Sequence, residues 1–305
     1  MVLSFLGWLG CMGARGLAGP EEGVAAVVAA VETTTSATRV RLGTSPGGRP
    51  VTALVVPGRQ PERRVLVIGG VHGSEQGGIE VAERMVGHLQ AAPGKPRPST
   101  VVVPILFRDH AAVRLRERPE QPTNRNFPEP GTTWARDAAD PRDAEGRRAL
   151  PENRWLVGLI DTLKPDRIVS VHGTVREAAA GIFADPHLWP GDTHRADART
   201  AADGALALQI ARTIATMDPT LVRGNRLDDT PTAVWSGGVR GGVSLGRWAP
   251  HPVPGVRESV GVLTVEVPGN DRSDDHTGAE RAARDEALAT IARALLHHVL
   301  SLEAS

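Results

Sequence analysis

Four apolar residues, Val65–Ile68, lead straight into Gly69-Gly70-Val71-His72-Gly73-Ser74-Glu75. Beyond them Ile79, Ala82, Met85, Val86 and Leu89 recur at helical spacing. A short unbroken apolar run is the pattern of a strand buried on both faces, and the period that follows is that of an amphipathic helix. His72 and Glu75 therefore stand where a central strand hands over to a helix. In α/β sheets, ligands bind at the carboxyl ends of strands. Three residues apart on one turn, an imidazole and a carboxylate can converge on a single point, which is the beginning of a zinc site. Alone, His-x-x-Glu is a weak signal, so the rest of the chain has to supply the weight.

The chain supplies further strands and helices in alternation. Glu22–Thr33 is helical in character, and Arg39–Leu42 and Pro50–Val56 form a hairpin across the turn Ser45–Arg49, leading into the strand at Val65. Thr100–Leu106 reads as a second buried strand, and Arg167–Val171 and Val260–Val267 as two more. Helices are expected over 153–163, 198–217 and 277–302. Between 107 and 151 lies a long irregular stretch rich in Pro, Arg and Asp; such loops in a compact domain are functional or disordered. No repeat and no linker divides the chain, so the pattern predicts one α/β domain.

Composition narrows the class. The chain has 305 residues and a formal net charge of zero, so it has no basic field suited to nucleic acid or an anionic membrane surface. Its cations are almost all arginine, which reads as a compositional bias of the genome. One cysteine, Cys11, excludes an intramolecular disulfide. Residues 1–20 are apolar and Gly-rich but too short and interrupted to span a membrane. The first arginine follows the apolar part, unlike a signal peptide, and Leu9-Gly10-Cys11 as a lipoprotein cleavage site meets the same objection. These features predict an N-terminal extension over 1–20, a catalytic domain over 21–305, no transmembrane segment and a cytoplasmic location, with secretion the alternative that the apolar N-terminus leaves open.

Three of the buried strands end in ionisable residues: His72 and Glu75 after the first, His172 after Arg167–Val171, and Glu266 within Val260–Val267. A histidine at a strand end is as readily a core or turn residue as a ligand. Glu266 is odder, because a carboxylate inside an apolar run is costly unless it finds a partner. Two histidines and a glutamate around zinc leave room for a water that the metal acidifies, and a separate carboxylate can take its proton.

From about Arg41 to Pro268 the chain resembles the zinc metallocarboxypeptidases. The resemblance rests on Gly43–Pro50, on His72-Gly73-Ser74-Glu75, on Asn124-Arg125-Asn126-Phe127-Pro128, on Val171-His172-Gly173 and on Leu263–Pro268, in matching order and strand context. It implies a mixed, mostly parallel twisted sheet with helices on both faces. It also implies one Zn2+ per chain held by His72, Glu75 and His172, with Glu266 as general base and later acid to the leaving amine. Asn124 and Arg125 would hold the free carboxylate of a peptide or acyl amino acid. Arg116 would polarise the scissile carbonyl, with Arg114 and Arg118 as rivals in what is otherwise a solvated Arg-rich loop.

Two departures bear on substrate. The chain has no tyrosine, whereas many carboxypeptidases lay one over the substrate, and Phe107-Arg108-Asp109-His110 replaces the family's Asn-Pro-Asp-Gly turn. Gly242–Trp248 is similar to a loop of the murein peptide amidase branch, which cleaves γ-glutamyl–diaminopimelate bonds; otherwise it reads as a Gly-rich surface loop with Trp248 in the core. The expected activity is thus hydrolysis of a C-terminal peptide or γ-glutamyl amide bond. The short distance from the metal loop to Asn124 and the triplet His172-Gly173-Thr174 also suit an N-acyl amino acid deacylase of the succinylglutamate desuccinylase and aspartoacylase kind. A third reading is a binding module that has kept the fold and lost catalysis.

Overall fold

The computed structural model describes residues 20–92, 96–135, 137–186, 198–234, 241–268 and 277–302. The expected extension over 1–20 lies outside the described residues except for Pro20. Helix α1 (Pro20–Thr33) leads into a hairpin of β1 (Thr38–Thr44) and β2 (Pro50–Val56), followed by β3 (Gln60–Ile68), α2 (Gln76–Ala91) and β4 (Pro98–Val103). A one-turn helix α3 (Arg108–Ala112) and a 3-10 turn, Thr123–Arg125, punctuate the long loop before α4 (Pro151–Leu163). Then come β5 (Arg167–Gly173), β6 (Gly181–Ala184), α5 (Ala198–Ala215), the single turn α6 (Leu245–Trp248), β7 (Gly261–Val267) and α7 (Gly278–Leu300).

The seven strands form one mixed sheet in the order β1-β2-β4-β3-β5-β7-β6. Its centre, β4-β3-β5-β7, is parallel, and antiparallel pairings join β1 to β2, β2 to β4 and β6 to β7. The period of two along β3 divides its side chains between two cores. Val65 and Val67 pack with α2, α5 and α7, whereas Leu66 and Ile68 pack on the other face with α1 and α4. All four are at most 4% exposed, and burying each such side chain stabilises the fold by about 1.5–3 kcal/mol. Helices on both faces are what make the apolar run Val65–Ile68 tolerable.

Several ends have local causes. α4 starts at Pro151, two residues before the expected Asn153, because proline suits the first helical position. β4 stops at Val103 rather than Leu106, since Pro104 has no N–H to continue the ladder. The hairpin leads into β3 in sequence, but β2 pairs with β4; β3, buried on both faces, takes the centre. At α7, Thr277 and Glu280 cap the helix reciprocally, Thr277 N–H donating to Glu280 Oε2 at 2.7 Å. The short edge strand β6 and the 3-10 stretch Pro219–Asn225 carry no periodicity that would announce them. Among the described residues no helix is long and apolar enough to cross a membrane.

Candidate metal centre

The carboxyl ends of β3, β5 and β7 lie side by side, and each brings one part of the site. After β3 the chain turns through Gly70, at φ +62°, and reaches His72 and Glu75 just before α2 begins. Gly78 lies in the first turn of α2, where an added Cβ would sit 2.7 Å from the Val171 carbonyl oxygen. That close approach of helix to strand carries Glu75 to His172. The Nδ1 atoms of His72 and His172 face the two oxygens of Glu75 at 2.8 Å and 2.9 Å, and the Gly173 N–H donates to Glu75 Oε2 at 3.2 Å. All three side chains are buried, and their ligand atoms lie within 4.8 Å of one another. Among the described residues no other group of histidine, cysteine and acidic side chains converges in this way.

The electrostatics of this cluster are those of a buried carboxylate paired with two imidazoles. Burial works to raise the Glu75 pKa, but the charge and hydrogen bond of His172, joined by those of His72, hold it far below the carboxylate range. Burial lowers the His72 pKa and prevails over the pull of Glu75. At His172 burial acts the same way, but Glu75 overturns it and the pKa is raised. His172 Nε2 lies 3.0 Å from Ser170 Oγ. When that hydroxyl accepts the Nε2 proton and Nδ1 carries none, Nδ1 turns a lone pair toward Glu75 Oε2, an arrangement that a cation between them would stabilise. Two imidazoles and a carboxylate are a donor set suited to zinc, so the residues fit the metal that the resemblance implies.

Glu266 stands in register with His172 on the neighbouring strand β7. Burial pushes its pKa up to about 7, with the His172 charge acting against the shift and Glu75 adding to it. A carboxyl that takes up and releases a proton near neutrality is suited to proton transfer. The structure separates the three arginine candidates. Arg116, half exposed, hydrogen-bonds Glu75 Oε1. Arg118 lines a cavity of about 790 Å3 with Phe107, His110 and Glu152 that includes none of His72, Glu75 and His172. Arg114 lies at a left-handed turn, φ +49°.

Asn124 and Arg125 occupy the 3-10 turn. Asn124 Oδ1 accepts from the Leu245 N–H at 3.1 Å, which leaves its Nδ2 as donor. Burial works against the Arg125 charge, and Glu117 and Asp185 nearby support it. Asn126, to which the sequence reading assigns no separate part, is a buried junction: its Nδ2 donates to Asp143 Oδ2 at 2.8 Å and its Oδ1 accepts from the Leu150 N–H at 2.7 Å. Trp248 packs wholly in the core, its indole N–H bonded to the Thr132 carbonyl at 2.8 Å. The described part of the Gly-rich loop meets the Asn-Arg-Asn segment through an Asn126–Val243 bridge. Residues 235–240, just before that loop, lie outside the described residues.

Comparison with known proteins bears on this picture. No protein-family model matches the chain. The murein-tripeptide amidase MpaA from Escherichia coli O157 is structurally similar, with a TM-score of 0.52 and 19% identity over 90% of this chain and 97% of that one. Bovine thrombin-activatable fibrinolysis inhibitor, solved with tick carboxypeptidase inhibitor, gives 0.50 and 13% identity over 94% and 98%. These likenesses show the fold: the chain has the metallocarboxypeptidase-like fold. In sequence, the chain is similar to the N-acyl-aromatic-L-amino acid amidohydrolase (carboxylate-forming) of Rattus norvegicus, 29% identical over 144 residues. That match spans 46% of this chain and 42% of the rat protein, less than half the length of either.

Proposed function

We propose that this chain is a zinc-dependent hydrolase of amide bonds, acting where the departing residue ends in a free carboxylate. The observation that carries the reading is the convergence of His72, Glu75 and His172 from two strand ends, with Glu266 in register beside His172. Zinc in that cluster would supply Lewis-acid polarisation and an acidified water. Glu266 takes the proton of the attacking water and delivers it to the departing nitrogen, its buried position keeping its proton affinity near neutrality. Arg116, whose contact with Glu75 supports the role, stabilises charge developing on the carbonyl oxygen. Arg125 holds the substrate carboxylate through its planar fork, with Asn124 Nδ2 beside it.

Two substrate classes fit this chemistry. A peptide or γ-glutamyl amide is supported by the Gly242–Trp248 loop, which bears on the carboxylate clamp through the Leu245–Asn124 bond, and by the likeness to the murein-tripeptide amidase. An N-acyl amino acid is the second reading, supported by the sequence similarity to the rat amidohydrolase.

Elemental analysis of the purified protein, with turnover assays on γ-D-glutamyl-diaminopimelate, ordinary peptides and N-acyl amino acids, tests the proposal. The wild type should hold about one zinc per chain and His72→Ala none. Glu266→Gln should keep the metal and lose about 10²- to 10⁴-fold in rate. A wild type that takes up no zinc, or a Glu266→Gln variant at full activity, would sink the reading. Zinc without turnover on any of the three classes would favour a binding module.

A further inference from the structure

The two histidines of the cluster are held differently at their outer nitrogens. His172 Nε2 meets the neutral Ser170 hydroxyl at 3.0 Å. His72 Nε2 faces a carboxylate, Glu117 Oε2, at 3.6 Å. That distance exceeds a hydrogen bond, yet the oxygen is buried and has no hydrogen-bond partner among the described residues. A buried, unsatisfied carboxylate oxygen is unfavourable, so a small movement that closes the gap is downhill.

The placement has a structural origin in the loop after β4. Gly73, next to His72, packs directly on α3, where an added Cβ would lie 2.2 Å from the His110 carbonyl carbon. The chain then turns back at Arg114, pinned by the Leu115 N–H to the His110 carbonyl at 2.9 Å. Consecutive residues of that return reach two members of the cluster: Arg116 contacts Glu75 and Glu117 faces His72. Nothing in the spacing of the metal motif points to Glu117, which lies 45 residues beyond His72 in an Arg-rich stretch.

We propose that Glu117 is a positioning residue: its carboxylate accepts the Nε2 proton of His72 and holds the imidazole in the tautomer that presents the Nδ1 lone pair to a metal. The inference rests on the metal-site reading above. A carboxylate behind a ligating histidine fixes the ring and makes its inner nitrogen more basic, and its loss weakens metal binding by about 10- to 100-fold.

Zinc affinity measured by competition against a chromophoric chelator tests it in the full chain, for wild type, Glu117→Leu, Glu117→Gln, His72→Ala and the exposed-site control Glu120→Gln. Glu117→Leu should bind zinc about 10- to 100-fold more weakly. Glu117→Gln, which keeps an acceptor oxygen without charge, should fall between it and wild type, and Glu120→Gln should match wild type. Should Glu117→Leu fail to fold, Glu117→Gln carries the comparison. An independent readout is the tautomer of His72 in the metal-free protein by 1H–15N correlation, with the Nε2–H form held in wild type and its bias lost in the variants. Unchanged affinity and tautomer in both Glu117 variants, with zinc lost from His72→Ala, would overturn the inference and leave the metal site standing. No zinc in wild type would overturn both.

Discussion

Exchanging one nitrogen for oxygen in Asn126 gives a sharp test of how the proposed carboxylate clamp of Asn124 and Arg125 is supported. Asn126 is 1% exposed, and its Nδ2 donates to Asp143 Oδ2 at 2.8 Å and to the Arg148 carbonyl at 3.2 Å. Asp143 is gripped by Arg147, whose backbone N–H and Nε donate to it at 2.8 Å and 2.7 Å. The Arg147 guanidinium then bonds the Arg125 carbonyl at 2.5 Å. Asn126→Asp keeps the acceptor for Leu150 but removes both donations and sets a carboxylate against Asp143 in a buried site. Losing a hydrogen bond to a charged group costs about 1.5–3 kcal/mol and a neutral one about 1 kcal/mol. With the repulsion added, the variant should lose roughly 3–5 kcal/mol at pH 8, a large part of the 5–15 kcal/mol typical of a folded domain. The introduced carboxylate has a folded pKa above its unfolded one, so its penalty is absent where both states are protonated and grows as pH rises. Urea unfolding at pH 4.5 and pH 8, with KM measured beside it, is the assay: the deficit should widen at pH 8 and KM should rise as Arg125 loses its support. A deficit under about 1 kcal/mol at pH 8, or one that does not widen with pH, would refute this account of the junction.

Two further outcomes are expected. Burial, with Asp109 adding to it and the residue's own backbone N–H opposing, raises the Glu152 pKa from 4.5 to about 7. Below pH 4.5 the group is neutral in both states and costs nothing. Stability then falls as pH rises to about 7, by roughly 3 kcal/mol in all. Glu152→Gln should therefore be more stable than wild type by about that amount at pH 8 and equal to it near pH 4, read by thermal melts; equal stability at pH 8 would refute it. Arg125→Lys keeps the charge but loses the planar fork, so KM should rise about 10- to 100-fold with kcat little changed. An unchanged KM in steady-state kinetics would remove Arg125 from the clamp.

Much of the architecture is legible from short stretches because its causes are local. The two-sided burial of Val65–Ile68 announces a central strand, the glycines after it a turn, and the spacing from Ile79 a helix. The hairpin at Ser45–Arg49 and the start of α7 at Thr277 are likewise matters of turn and cap chemistry. What escapes such reading is short or lacks periodicity: β6 has four residues at a sheet edge, and Pro219–Asn225 has no repeating face.

The candidate site divides along the same line. His72 and Glu75 share one turn, so their convergence follows from a spacing of three. His172 meets Glu75 across 97 residues, and Glu266 comes beside His172 only through the pairing of β5 with β7. The resemblance favours Arg116 and keeps Arg114 and Arg118 as rivals; the return of the chain after α3 sets Arg116 on Glu75 and Arg118 in a separate cavity. Asn126 and Glu117 acquire their places in the same way, one through bonds to Asp143 and Leu150, the other through the packing of Gly73 on α3. The sequence by itself determined which local elements form and which ionisable groups stand at their ends, since propensity, turn chemistry and periodicity act over a few residues. Only the tertiary structure decided which of those groups meet, because strand order and helix-to-strand approach are set by burying both faces of one sheet at once.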